Sequence, residues 1–137
     1  MLSTTAEYAL RAVLFLAQEA GERPVQVGAI ARALGIPHNY LSKILHELAR
    51  GGVLTSARGR RGGFRLAVPA DQLPLFDVVS RFDQIAAGRT CLLGRPECND
   101  RSACAAHPRW KAVSEQVARF FQQTTVTDLL QGAPLHV

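Results

Sequence analysis

Residues 27–48 read VGAIARALGIPHNYLSKILHEL, and this stretch limits the possible folds more than any other. Two helical patterns meet at Gly35. A short helix over 27–34 stops there, because glycine allows the left-handed backbone that a tight turn needs. Pro37 opens the next helix, since proline is tolerated in a first turn. That helix puts Tyr40, Leu41, Ile44, Leu45 and Leu48 on one apolar face. Ala31 is small enough for the two helices to approach, and Ile30, Leu34, Leu41 and Ile44 hold the angle from inside. Together these features describe a helix-turn-helix. Directly after Gly51 and Gly52 come two strand-like pieces, 53–57 and 64–68, joined by RGRRGG. Its glycines permit a tight hairpin. A basic hairpin placed here is a wing.

The net charge is +5, and residues 38–69 account for all of it: Lys43, Arg50, Arg58, Arg60, Arg61 and Arg65 face Glu47 alone. A merely solvated face would mix both signs. A basic block on a neutral body is the footprint of a phosphate-backbone binder. The exposed side of the third helix offers His38, Asn39, Ser42, Lys43 and His46. Of these, Asn39, Ser42 and Lys43 carry the amide, hydroxyl and ammonium groups that match base edges in a major groove. His46 reads as a partly exposed helix residue rather than a base contact. Arg58, Arg60 and Arg61 on the wing suit a minor groove or phosphates. Arg65 reads as a solvated strand residue.

The rest of the chain supplies the body. A 47% hydrophobic share is enough for a core at this size. Thr4 and Glu7 form a capping-box pattern at the start of a first helix. Ala6, Ala9, Leu10, Val13, Leu14 and Ala17 line that helix, and Gly21 ends it. Pro74 opens another helix, with Phe76, Val79 and Phe82 inward. Pro108 begins a long helix to about residue 123, after which Thr127 caps a last turn. Trp110, Val113, Val117, Phe120 and Phe121 form an apolar seam on the long helix, and a helix of this length needs a partner surface. The expected fold is mainly α with a small β-hairpin wing: a winged helix-turn-helix plus a long C-terminal dimerisation helix. The expected divisions are a DNA-binding part at 1–83, a cysteine segment at 84–107, and a dimerisation helix with its tail at 108–137. No run approaches the roughly 18 apolar residues of a membrane span. The first residues lack a basic leader and a small-residue cleavage site, so a cytoplasmic protein with reduced thiols is expected.

All three cysteines lie in one polar stretch, spaced Cys91-x6-Cys98-x5-Cys104-x2-His107. Paired knuckles of the zinc-finger kind are absent. Wide spacing in a long loop suits a bulky ligand that gathers the chain around itself. An iron–sulfur cluster held by thiolates and one non-cysteine group fits that pattern. Structural zinc, a metal-free thiol switch and inert cysteines are the alternatives. An enzyme is not expected: there is no Cys-x-x-Cys, nucleophile–base pair, phosphate-cradling loop or carboxylate pair, so no small-molecule substrate is implied.

AEYALRAVLFLA at 6–17, the helix-turn-helix, the wing SARGRRGGFRLA and the cysteine segment together resemble the Rrf-two family of winged-helix regulators, which has IscR-, NsrR-, RirA-, RsrR- and BadM-like branches. The resemblance runs from residue 1 to about 130. It implies a homodimeric transcription regulator, mostly a repressor, that binds a palindromic double-stranded operator. It also implies that Cys91, Cys98 and Cys104 hold a [2Fe–2S] or [4Fe–4S] cluster that senses redox state, iron, nitric oxide or cluster supply. The family's recognition-helix positions fall on Asn39, Ser42 and Lys43, and its wing arginine on Arg58. The fourth ligand is either His107, as in IscR-like members, or Glu7 of the partner subunit, as in NsrR- and RsrR-like members. Where RsrR-like members carry a histidine one turn after the acid, this chain has Arg11.

Overall fold

The structure is a computed structural model that describes residues 2–19, 23–84, 92–93 and 105–131. Cys91, Cys98, Cys104 and Gly21 lie outside the described residues. In chain order the elements are α1 (Thr4–Glu19), α2 (Val27–Leu34), α3 (His38–Arg50), β1 (Leu54–Ala57), β2 (Gly63–Leu66), a 3₁₀ turn (Ala70–Gln72), α4 (Leu75–Val79), α5 (His107–Gln123) and α6 (Val126–Leu130). The expected architecture is present: mostly helix, with one antiparallel hairpin. No helix among the described residues is long and apolar enough to cross a membrane.

α1 is the centre. It packs against α2, α3, α4, α6 and β2. Ala6, Ala9, Ala12 and Val13 on this helix are fully buried, with Leu14 and Leu16 nearly so. Side chains as short as alanine let neighbouring backbones come close. The buried stripe is wider than the periodicity alone predicts, because α1 is covered from several sides. Ser3 caps this helix: its Oγ accepts the Ala6 N–H at 3.1 Å, and its carbonyl accepts the Glu7 N–H at 3.0 Å. The cap is therefore one residue earlier than the Thr4–Glu7 pattern predicted. Glu7 is displaced from the third helical position by that shift, and it stands exposed.

The α2–α3 junction forms as the sequence demands. Gly35 adopts φ 67°, and the Ile36 N–H donates to the Ala31 carbonyl at 3.1 Å. With Ile36 buried beneath it, this is a Schellman closure. Ile30, Ala31, Leu34, Leu41, Ile44, Leu45 and Leu48 are all buried. Tyr40 is the exception to the predicted inward face, being 40% exposed.

In the wing, Leu54 pairs with Leu66 and Ala57 with Gly63. Val25 adds a one-residue third strand by exchanging two 2.8 Å hydrogen bonds with Phe64. Gly63 permits this approach, since at its φ of 138° a Cβ would fall 2.3 Å from the Val25 carbonyl oxygen.

The C-terminal elements return to the same core. The Leu75 N–H donates to the Thr124 carbonyl, and the Val126 N–H to the Leu73 carbonyl, both at 2.9 Å. Thr125 and Asp128 form the capping box of α6, two residues before the cap expected at Thr127. Phe121 and Val126 sit in the core cluster with α1. Phe121, predicted in the dimer seam, is therefore an internal residue at 2% exposure. It follows Phe120 directly, so its side chain points about 100° away around the helix.

The alanine face gives a direct check. Ala9→Leu should destabilise the chain by about 1–3 kcal/mol through overpacking, read as a lower urea midpoint; an unchanged midpoint would mean α1 is not tightly enclosed.

Candidate nucleic-acid interface and the anchors of the cysteine segment

Most of the sequence-predicted polar candidates are exposed, on α3 and on the hairpin connection. His38, Asn39, Lys43 and His46 are exposed on α3, and Ser42 is partly so. Arg58, Arg60 and Arg61 are exposed on the hairpin connection. His46 joins the two parts. Its Nδ1–H donates to the Ser42 carbonyl at 2.7 Å, and its ring meets Phe64 of β2 edge-on at 5.3 Å. His46, exposed on α3, thus links the wing to that helix.

The N-terminal end of α3 is held from α1. Tyr40 hydrogen-bonds to Thr5 through the two hydroxyls and packs edge-on against Tyr8 at 5.6 Å. Arg11 lies 5.8 Å from the centre of the Tyr8 ring and donates from Nη2 to the Leu34 carbonyl at 2.7 Å. A guanidinium at the C-terminal end of α2 meets both an unpaired carbonyl and the negative pole of the helix. Tyr40 was misread as core because helical periodicity does not say which neighbour covers each turn.

The C-terminal end of α3 is held by residues just before the cysteine segment. Arg81 Nη2 donates to Glu47 Oε1 at 2.7 Å, while Arg50 lies 3.6 Å from Oε2 of the same carboxylate. The Arg81 guanidinium lies flat on Gly51, where a Cβ would come within 2.5 Å of it. Next to it, the Asp83 carboxylate accepts the Ser3 N–H at 2.7 Å, and the Phe82 carbonyl accepts the Ser3 hydroxyl at 3.4 Å. No sequence motif marked Arg81 or Ser3, since each works across some 30 to 80 residues.

On the far side of the segment, His107 begins α5, one residue earlier than predicted, with Pro108 in the first turn. Its side chain is buried at 8% exposure. Glu7, the rival fourth-ligand candidate, is exposed on α1. Among the described residues no three His, Cys, Asp or Glu side chains form a group that would hold a metal, and the three cysteines lie outside those residues. On α5, Val113 and Phe120 are 48% and 49% exposed, with Trp110 and Val117 partly covered.

Residues 2–132 match the Rrf2 (Rrf-two) family, described as an iron-dependent transcriptional regulator. The chain belongs to the Rrf2 family. An HTH-type transcriptional regulator of Aquifex aeolicus is 34% identical, with 100% of this chain and 96% of that protein covered. The protein rrf2 of Nitratidesulfovibrio vulgaris is 31% identical over 98% of this chain and 89% of its own. The regulator IscR of Vibrio atlanticus is 28% identical over 95% and 75%. Two solved structures share the fold. T. potens IscR has a TM-score of 0.76 at 23% identity, covering 99% of this chain and 94% of that one. CymR, the global cysteine regulator of B. subtilis, has a TM-score of 0.77 at 24% identity, covering 94% and 95%. As an Rrf2 protein the chain is a DNA-binding transcriptional regulator with a winged helix, a non-enzymatic role.

The Arg11 bridge is open to test. Arg11→Ala should cost about 1.5–3 kcal/mol, the usual worth of a charged hydrogen bond, measured by urea unfolding; an unaltered midpoint would show that water replaces the guanidinium without loss.

Proposed function

We propose that this chain is a cytoplasmic repressor that binds a palindromic operator as a homodimer and changes its affinity with the state of an iron–sulfur cluster. Asn39, Ser42 and Lys43 read base edges, and Arg58, Arg60 and Arg61 hold the flanking duplex. The donor set fits the cofactor by its chemistry: Cys91, Cys98 and Cys104 supply soft thiolates, and His107 or the partner's Glu7 completes the set. His107 is supported by its place at the buried start of α5, three residues beyond Cys104. Glu7 is supported by its exposure on α1, outside any capping box. The iron-dependent description of the family agrees with either.

The observation that carries the sensing half is the double anchor of residues 81–83. These residues lead into the cysteine segment, and they bond both to the reading helix and to the central helix: Arg81 to Glu47 on α3, and Asp83 to Ser3 at the cap of α1. A bound cluster supplies a redox- and ligand-sensitive centre whose loss frees the thiolates. The chain does the rest. A displacement of residues 81–83 on filling of the site would be passed by Arg81 to Glu47 on α3 and by Asp83 to Ser3 on α1. In a dimer this changes the separation of the two recognition helices, and a stiff duplex resists the mismatch. A coupling of about 1–3 kcal/mol is enough for a regulatory switch. Trp110, Val113, Val117 and Phe120 supply the intersubunit seam, without Phe121.

The deciding experiment uses protein purified without oxygen. A visible absorption spectrum with iron and acid-labile sulfide counted per chain should show a coloured protein holding both, and the ratio should separate two-iron from four-iron forms. Cys98→Ala should lose the colour and remain a folded dimer. Zinc in place of iron, or a colourless protein that takes up neither on reconstitution, would replace the cluster by a structural zinc or a thiol switch. Phe120→Asp should give a monomer by sedimentation at concentrations where the parent protein is a dimer; a persisting dimer would move the interface off α5.

A further inference from the structure

A cavity of about 610 Å³ lies where the wing meets the segment before α2, lined by Arg23, Pro24, Gln26, Arg60, Arg61 and Gly62. Three arginines from two separate stretches of chain line it, and no acid is among its described lining residues. Resting on the DNA-interface reading above, we propose that Arg23 joins Arg60 and Arg61 in a clamp for a phosphate of the DNA backbone.

Arg23 is not an isolated surface charge. Its segment is fixed to the wing by the two hydrogen bonds between Val25 and Phe64. The Gln26 side-chain amide donates to the Arg60 carbonyl at 2.6 Å, so the hairpin connection is held against the same segment. Gln26 is also the N-cap of α2, and its side chain makes no capping bond there. The positive pole of this eight-residue helix therefore has no side-chain cap, and its N-cap residue lines the same cavity as the arginines. The wing is tied in turn to α3 through Phe64 and His46, so a duplex lying on the recognition helix runs past the clamp.

A backbone phosphate is the occupant these features favour. The cavity is open at the surface and lined by three arginines, and guanidinium forks match phosphate oxygens in geometry as well as charge. A polyanion that already touches α3 brings its phosphates at high local concentration, which no free anion does. The wing's work is then divided. Arg60 and Arg61 act with Arg23 on the backbone, which carries no sequence information, and Arg58, which does not line the cavity, is left for the groove.

The test measures affinity for a fluorescein-labelled duplex of mixed sequence by anisotropy, between roughly 50 and 200 mM salt. Each neutralised phosphate adds about 0.9 to the slope of log affinity against log salt. Arg23→Gln should lower the slope by that amount, and Arg23→Lys should keep it. Arg119→Gln, an exposed charge on α5, controls for net charge. Circular dichroism melts establish that each variant is folded. An unchanged slope in Arg23→Gln, or an equal fall in Arg119→Gln, would overturn the clamp while leaving the DNA interface standing. Parent protein that fails to bind the duplex at the lowest salt would instead remove the interface reading on which the clamp rests.

Discussion

The close enclosure of α1 is the constraint on which the rest of the structure depends. Ala6, Ala9 and Ala12 have no exposed surface, and the helices of the reading head and of the C-terminal part both lie against this one rod. Small side chains allow backbones to approach, but they contribute little apolar area of their own. The larger part of the burial comes from what is packed around them: Ile30, Leu41, Leu45, Leu48, Leu73, Leu75, Val78 and Val126. A dense interior of this kind transmits displacement instead of absorbing it, because it has few voids into which a side chain can move. The centre of the fold is therefore also its mechanical core.

Polar contacts then orient the reading helix on that core. α3 is gripped at one end by Tyr40 with Thr5 and Tyr8, and at the other by Glu47 with Arg81. Both grips are at least partly open to solvent, so neither is a large source of stability. Their value lies in direction. They fix the helix against α1 and against the approach to the cysteine segment. A winged helix needs only its recognition helix and its hairpin to touch DNA. Here both are tied to parts of the chain that lie outside the interface, and this is the arrangement a regulated binder requires.

Much of this was legible in the sequence because it depends on local geometry. Gly35 with a buried Ile36 can close a helix in few ways, and Gly62 and Gly63 after two arginines allow a tight hairpin. The misreadings share one cause. Tyr40 and Phe121 were assigned to faces by spacing, but spacing does not reveal what covers a face. Tyr40 turns toward the Thr5 hydroxyl and the Tyr8 ring of α1, and Phe121 turns into the core rather than outward with Phe120. The cap on α1 slipped from Thr4 to Ser3 for a related reason: Ser3 also meets Asp83 and Phe82, and that long-range contact selects it.

The sequence by itself determined the helix-turn-helix, the basic wing, the concentration of charge and the set of possible metal donors, since residue type and short spacing are enough to specify each of these. Tertiary structure alone decided which side chains connect them. Arg11 at the end of α2, Arg81 on Glu47, and Arg23 beside Arg60 and Arg61 are ordinary arginines along the chain. They acquire roles only when folding brings together groups far apart in sequence, because electrostatic and hydrogen-bonding energies depend on distance in space and not on distance along the chain.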